Sequence, residues 1–158
     1  MKIDFDTWLA LQALYADYAA ALDARELSRW PDFFTEDCSY RVQSRENFDR
    51  GLPLATLAFE SRGMLKDRVV GAVDTIYHDP YLQRHVTAAP RVLKIDDRGL
   101  HCEASYIVVR TKPDAMPEIL SVGRYIDLIV ATPAGLRFAQ RWVIFDNDLI
   151  ANSIIDPL

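Results

Sequence analysis

Apolar residues recur at steps of three and four near the start of the chain. Trp8, Leu11, Tyr15, Tyr18 and Leu22 fall on one helical face. Asp4 and Asp6 stand as candidate caps, so the spacing predicts an amphipathic helix running to about residue 24. The string ALDARELSRW then turns polar. Ser28 is placed to cap a second, short helix that carries Trp30, Phe33 and Phe34, tolerates Pro31 in its first turn and ends near Thr35. Cys38 to Val42 reads as a first strand, and RENFDRGLP reads as loop because Gly51 and Pro53 mark turns. From Leu54 to Val73 the pattern is helical again. Leu57, Phe59, Met64, Leu65 and Val69 supply its apolar surface, and Arg62 and Lys66, four apart, point elsewhere.

After His78-Asp79-Pro80 the period changes. Residues 85–96, 100–112, 119–131 and 136–146 are rich in Val, Ile, Tyr and Phe and predict four strands. The connections DDRG (96–99), KPDAMP (112–117) and TPAG (132–135) suit hairpins, so an antiparallel meander is expected. Alternation puts Leu120, Val122, Ile126, Leu128 and Val130 on one face, and Cys102, Ala104, Tyr106 and Val108 likewise in the strand before, as core sides. Pro90 and Gly123 interrupt the strands where a bend or bulge would let the sheet curl. Helices first and a long sheet afterwards define an α+β class. The expected architecture is a cystatin-like (NTF2-like) cone, with N-terminal helices packed in a curved antiparallel sheet, as one domain over residues 1–158.

Composition narrows the function classes. With 158 residues, 50% of them hydrophobic and 26% charged, the chain has enough apolar material for a core without staples. A formal net charge of −5 and the lack of any basic block argue against nucleic acid and anionic lipid as partners. No window approaches a membrane span, and MKIDFDTW is acidic where a signal peptide would be basic, so the expected location is cytoplasmic. Cys38 and Cys102 stand alone. They build neither a disulfide framework nor a CxxC knuckle and read as small buried hydrophobes.

Candidate chemistry is sparse. His78, Asp79 and His85 offer a two-His, one-carboxylate set for iron, but His78 and His85 share no helix face and Pro80 lies between them. His85 more simply opens a strand with a local hydrogen bond, and His101 faces outward beside Glu103. No GxSxG elbow, GxGxxG turn or Walker loop occurs. Acid–base work is the serious enzymatic candidate. Tyr18, Asp23, Tyr40 and His85 could converge in a cone-shaped pocket as a stand-alone dehydratase or isomerase, with an Asp or His base and a Tyr donor. Against it, Tyr18 lies on the apolar face as a core residue and Asp23 suits an arginine partner. Arg110, Arg124 and Arg141 fall in apolar-patterned strands and must be paired if buried. Asp127 and Asp146 are near in sequence. A plain ligand-binding or dimerisation module is the third class.

One resemblance covers the chain almost end to end. Its marks are Asp23, Trp30, Phe33-Phe34, Asp37, Tyr40, Arg84-His85, Tyr106 with Arg110, "VGRYIDLI" and "GLRFAQRWVIFD". This order resembles the β (small) subunit of aromatic-ring-hydroxylating Rieske oxygenases, and among these looks most like the small subunit of salicylate 5-hydroxylase. Where members commonly carry an Asn after the Arg-His pair, this chain has Ala88 and Ala89 in "VTAAPRV". The resemblance implies the cone, a non-catalytic structural role and a hexamer of three large and three small subunits. It also implies a large subunit holding the Rieske [2Fe-2S] cluster and a mononuclear iron, served by a ferredoxin and a reductase. A Rieske cluster needs CxH and CxxH pairs, and neither Cys38 nor Cys102 has a His so placed. No catalytic, cofactor or metal residue is therefore assigned to this chain. Trp30, Phe33 and Phe34 are expected to plug the cone, with Asp37 and Tyr40 finishing a turn and starting a strand.

Overall fold

In the computed structural model, residues 3–77, 80–147, 149 and 154–158 are described. Helix α1 (Phe5–Asp23) starts where Asp4 accepts a hydrogen bond from the Thr7 amide, which satisfies one of the free donors of the first turn. Leu11, Tyr15, Tyr18 and Leu22 are buried as the spacing predicts, but Trp8 is 42% exposed at the outer end of the helix. A 3-10 helix (Leu27–Phe33) follows. Its cap position is Glu26 rather than Ser28, with no side-chain cap. Strand β1 (Phe34–Ser44) is longer than predicted at both ends. The stretch expected as loop opens with a short helix α2 (Arg45–Asp49), capped by the Ser44 hydroxyl on the Asn47 amide.

The expected helix over 54–73 divides. Leu57–Phe59 forms β2, which pairs with β1, and only Arg62–Val70 forms helix α3, followed by a π turn at Gly71–Thr75. Pairing with an available strand edge overrode local propensity here. Pro90, without an amide proton, divides the first predicted sheet strand into β3 (Leu82–Thr87) and β4 (Arg91–Asp96). Both pair with β5 (Gly99–Thr111), at successive stretches of the same edge. β6 (Glu118–Thr132) and β7 (Gly135–Phe145) complete the meander.

The sheet order is β2-β1-β7-β6-β5-β3, with β4 beside β5. The antiparallel expectation needs one correction. β1 runs parallel to β7, so the sheet is mixed, and the early part of the chain is joined directly to its last strand. Parallel neighbours need a long connection, and residues 45–134 supply it.

The predicted core face holds for β5, where Cys102, Ala104, Tyr106 and Val108 are buried. It fails for β6. There Ser121, Gly123, Tyr125, Asp127 and Ile129 turn inward, while Val122, Ile126 and Val130 lie half-buried on the opposite side. Gly123 is opposite Tyr106 and Phe145, and a Cβ there would lie 2.0 Å from the Ile144 carbonyl oxygen. Only glycine admits that approach. At Leu128/Ile129 the β6–β7 register shifts and leaves Ala139 without a counterpart, which turns both Phe138 and Arg141 inward.

Candidate functional site

The interior of the cone is where the fold gathers its polar side chains. Register alone sets a row across the inner face: Tyr40 on β1 is opposite Arg141 on β7, Arg141 opposite Asp127 on β6, and Asp127 opposite Cys102 on β5. Arg141 and Asp127 are both wholly buried and form a two-point pair, Nε to Oδ1 at 3.1 Å and Nη2 to Oδ2 at 2.8 Å. Tyr15 donates its hydroxyl to the same carboxylate. The guanidinium lies over four rings, at 4.7 Å from Tyr15, 4.2 Å from Tyr18, 4.2 Å from Tyr125 and 3.8 Å from Phe138. Burial works against its charge. The Asp127 carboxylate more than offsets that and holds Arg141 well above its ordinary value. A permanent cation inside an aromatic box is a structural post, since it stays protonated and has no face open to solvent.

A second group sits beside it. The phenols of Tyr18 and Tyr40 donate to one acceptor, the carbonyl oxygen of Leu158, at 3.0 and 3.2 Å. Tyr18 in turn accepts from the Trp30 indole at 3.1 Å, and Tyr40 from the Leu158 amide at 3.0 Å. Each hydroxyl therefore gives one hydrogen bond and receives one. Burial pushes both phenols above their ordinary range, Tyr40 well above it. Trp30 and Phe34 are fully buried and meet Tyr40 edge-on, with Trp30 to Tyr40 centroids 5.1 Å apart, and Phe33 packs edge-on against Tyr18. The segment RWPDFF is the expected plug. Asp37 is exposed next to it.

The third group is Asp23 with His85. The Asp23 carboxylate accepts from the His85 amide at 3.0 Å and contacts its Nδ1 at 2.7 Å, with Arg84 at 3.5 Å. The pair joins the end of α1 to β3. Asp23 and His85 themselves line a solvent-open hollow of about 370 Å³, together with Gln12, Tyr15, Arg84 and Thr87 among others. The four acid–base candidates thus do not meet in one pocket. Tyr18 and Tyr40 share an acceptor deep in the cone, and Asp23 and His85 bond to each other at its side.

Of the iron candidates, His78 and Asp79 lie outside the described residues, and His85 is committed to Asp23. Among the described residues no three His, Cys, Asp or Glu side chains are grouped to hold a metal. Cys38 and Cys102 are buried thiols, pushed by burial up to about 11 and about 12, which suits packing and not ligation. The residues present do not fit a Rieske cluster. Arg110 pairs with Glu118 at 2.6 Å, Arg124 approaches Asp49 and Glu103, and Asp146 meets Arg45 at 2.9 Å. His101 is held by Asp96. Among the described residues no helix is long and apolar enough to cross a membrane.

The SnoaL-like domain family matches residues 6–142, which places this filled cone in the SnoaL-like class. The anthranilate 1,2-dioxygenase small subunit of Burkholderia cepacia is 33% identical over 98% of this chain and 96% of its own length. A terephthalate 1,2-dioxygenase terminal-oxygenase β subunit of a Comamonas species is 26% identical over 95% of this chain and 97% of its own. A solved structure described as the β subunit of an aromatic-ring-hydroxylating dioxygenase from Novosphingobium aromaticivorans is 33% identical, with a TM-score of 0.84 and 93% coverage of each chain. The chain belongs to the small subunits of the aromatic-ring-hydroxylating dioxygenases.

Proposed function

We propose that this chain is the non-catalytic structural subunit of such an oxygenase, working by binding and positioning a catalytic large subunit. One observation carries the reading: the Tyr18 and Tyr40 phenols are spent on Leu158 and Arg141 on Asp127, while a dioxygenase small subunit is 33% identical over 98% of the chain. In this reading the complex is a cytoplasmic α3β3 hexamer. The large subunit carries a Rieske [2Fe-2S] cluster and a mononuclear iron, and receives electrons through a ferredoxin and a reductase. The substrate is an aromatic carboxylate, the class that anthranilate and terephthalate share and to which salicylate also belongs. Choice among these, and whether one or two oxygen atoms are inserted, rests with the large subunit.

Co-expression with a Rieske-type large subunit tests this. The expected result is one stoichiometric species on gel filtration, with all the iron in the large chain. Turnover of an aromatic acid by this chain alone, or failure to co-purify with any such partner, would overturn it.

A further inference from the structure

We propose that the hollow of the cone is a binding site for a short apolar peptide, which the chain fills with its own residues 154–158. The sequence there is IIDPL, and Ile154, Ile155, Asp156, Pro157 and Leu158 are all buried, with Leu158 at 0% exposure. Three kinds of contact hold it. Arg68 donates Nη2 to the carbonyls of Ile154 and Ile155 at 3.2 and 2.7 Å. Arg25 meets the Asp156 carboxylate at 3.4 Å. The Leu158 carbonyl takes both phenols, and its amide is satisfied by Tyr40.

These contacts differ from ordinary core packing. Each comes from a different element: Tyr18 from α1, Tyr40 from β1, Arg68 from α3 and Arg25 from the turn after α1. They read a peptide backbone group by group, as a peptide-binding groove does. Burial in the filled cone raises both phenols above their ordinary value, so they stand as neutral donors to the Leu158 carbonyl. Two inward-facing residues of β3 also keep buried polar atoms unsatisfied. Both amide atoms of Gln83 and Nε2 of His85, on the inward face of β3, are buried without hydrogen-bond partners among the described residues. Buried orphans of this kind cost stability in a finished core.

An occupant tethered in cis hides the site from the same peptide in trans, because apparent affinity falls by the fraction of chains with the segment out. The test uses the full chain with Leu158→Asp, which puts a charge where the leucine docks and leaves every wall of the site intact. The probe is the pentapeptide Ile-Ile-Asp-Pro-Leu, acetylated and amidated. The peptide is expected to bind this variant in calorimetry and to raise its Tm, while the unaltered chain binds none. Adding Tyr18→Phe and Tyr40→Phe to the variant should weaken binding about thirtyfold, the loss of two neutral hydrogen bonds. Leu158→Ala, a milder release, should bind with intermediate apparent affinity. If Leu158→Asp does not fold by itself, excess peptide should restore its folding. A folded variant that ignores the peptide, a variant that excess peptide cannot rescue, or equal binding by the unaltered chain would each overturn the proposal.

Discussion

At the scale of the residue, the Arg141 guanidinium is the most exacting group in the molecule. It is wholly buried, bonded twice to Asp127 and boxed by four rings. Breaking such a pair leaves one charge uncompensated. Asp127→Ala should therefore lower unfolding free energy by about 3–5 kcal/mol in urea titrations, whereas the paired replacement Asp127→Leu with Arg141→Met should recover most of the loss. At Gly123 the limit is space. An alanine methyl would fall 2.0 Å from the Ile144 oxygen, so Gly123→Ala should cost about 1–3 kcal/mol in the same titration.

The buried phenols set a pH dependence whose sign is fixed. Tyr15, Tyr18, Tyr40, Tyr106 and Tyr125 all have pKa values raised above the usual 10.0, chiefly by burial, so the folded state holds protons that the unfolded chain releases. Their contribution is fully present below that unfolded value and is lost as pH rises above it. Cys38 and Cys102 act in the same direction, from 9.0 towards about 11 and about 12. Stability followed by circular dichroism should fall steeply above about pH 10, and phenolate absorbance from these five rings should appear only as the chain unfolds. A gradual phenolate titration in a still-folded protein would contradict the assigned burial.

At the scale of the element, the 3-10 segment Leu27–Phe33 acts through Trp30, which is 0% exposed and meets Phe34, Tyr40 and Phe59 edge-on. Trp30→Ala should destabilise by about 3–5 kcal/mol, measured by chemical unfolding, and remove the donor on Tyr18. This plug was readable from RWPDFF, as were α1 and the meander, because large apolar side chains at regular spacing have few places to go. Arg141 with Asp127 was readable as a pairing requirement, although the aromatic box was not. The inner face of β6 misled for a physical reason. Along its middle the inward positions are Ser121, Gly123, Tyr125 and Asp127, while the apolar Val122 and Ile126 lie half-buried on the other side. Strand β2 was hidden because three residues carry no period of their own. The docking of IIDPL was hidden because nothing in five residues names the distant phenols that donate to Leu158.

At the scale of the whole molecule, the aromatic centre of the cone is filled and the outer surface carries large apolar groups. Phe5 is 70% exposed, Ile119 65% and Val86 56%, on three different elements. Surfaces of this kind suit subunit contact. Mixing the purified chain with its large partner should protect amides on such a face from hydrogen exchange while leaving the core unchanged. An exchange map indifferent to the partner would count against the assembly role. The family was legible because the residues that carry the resemblance, Trp30 and Arg141 among them, are spread in order along almost the whole chain. The partner-facing surface was not, because its residues obey no internal geometry.

The parallel seam between β1 and β7 governs how the chain comes into being. Tyr40 must find Arg141, and β1 gains its second neighbour only when residues 135–145 have been made. Until then the aromatic cluster around Trp30 has no sheet to close over it. Long-range pairing of this kind slows folding and leaves apolar surface uncovered meanwhile. A nascent chain halted after β6 is thus an open shell, with the rings around Trp30 still uncovered where β7 will lie.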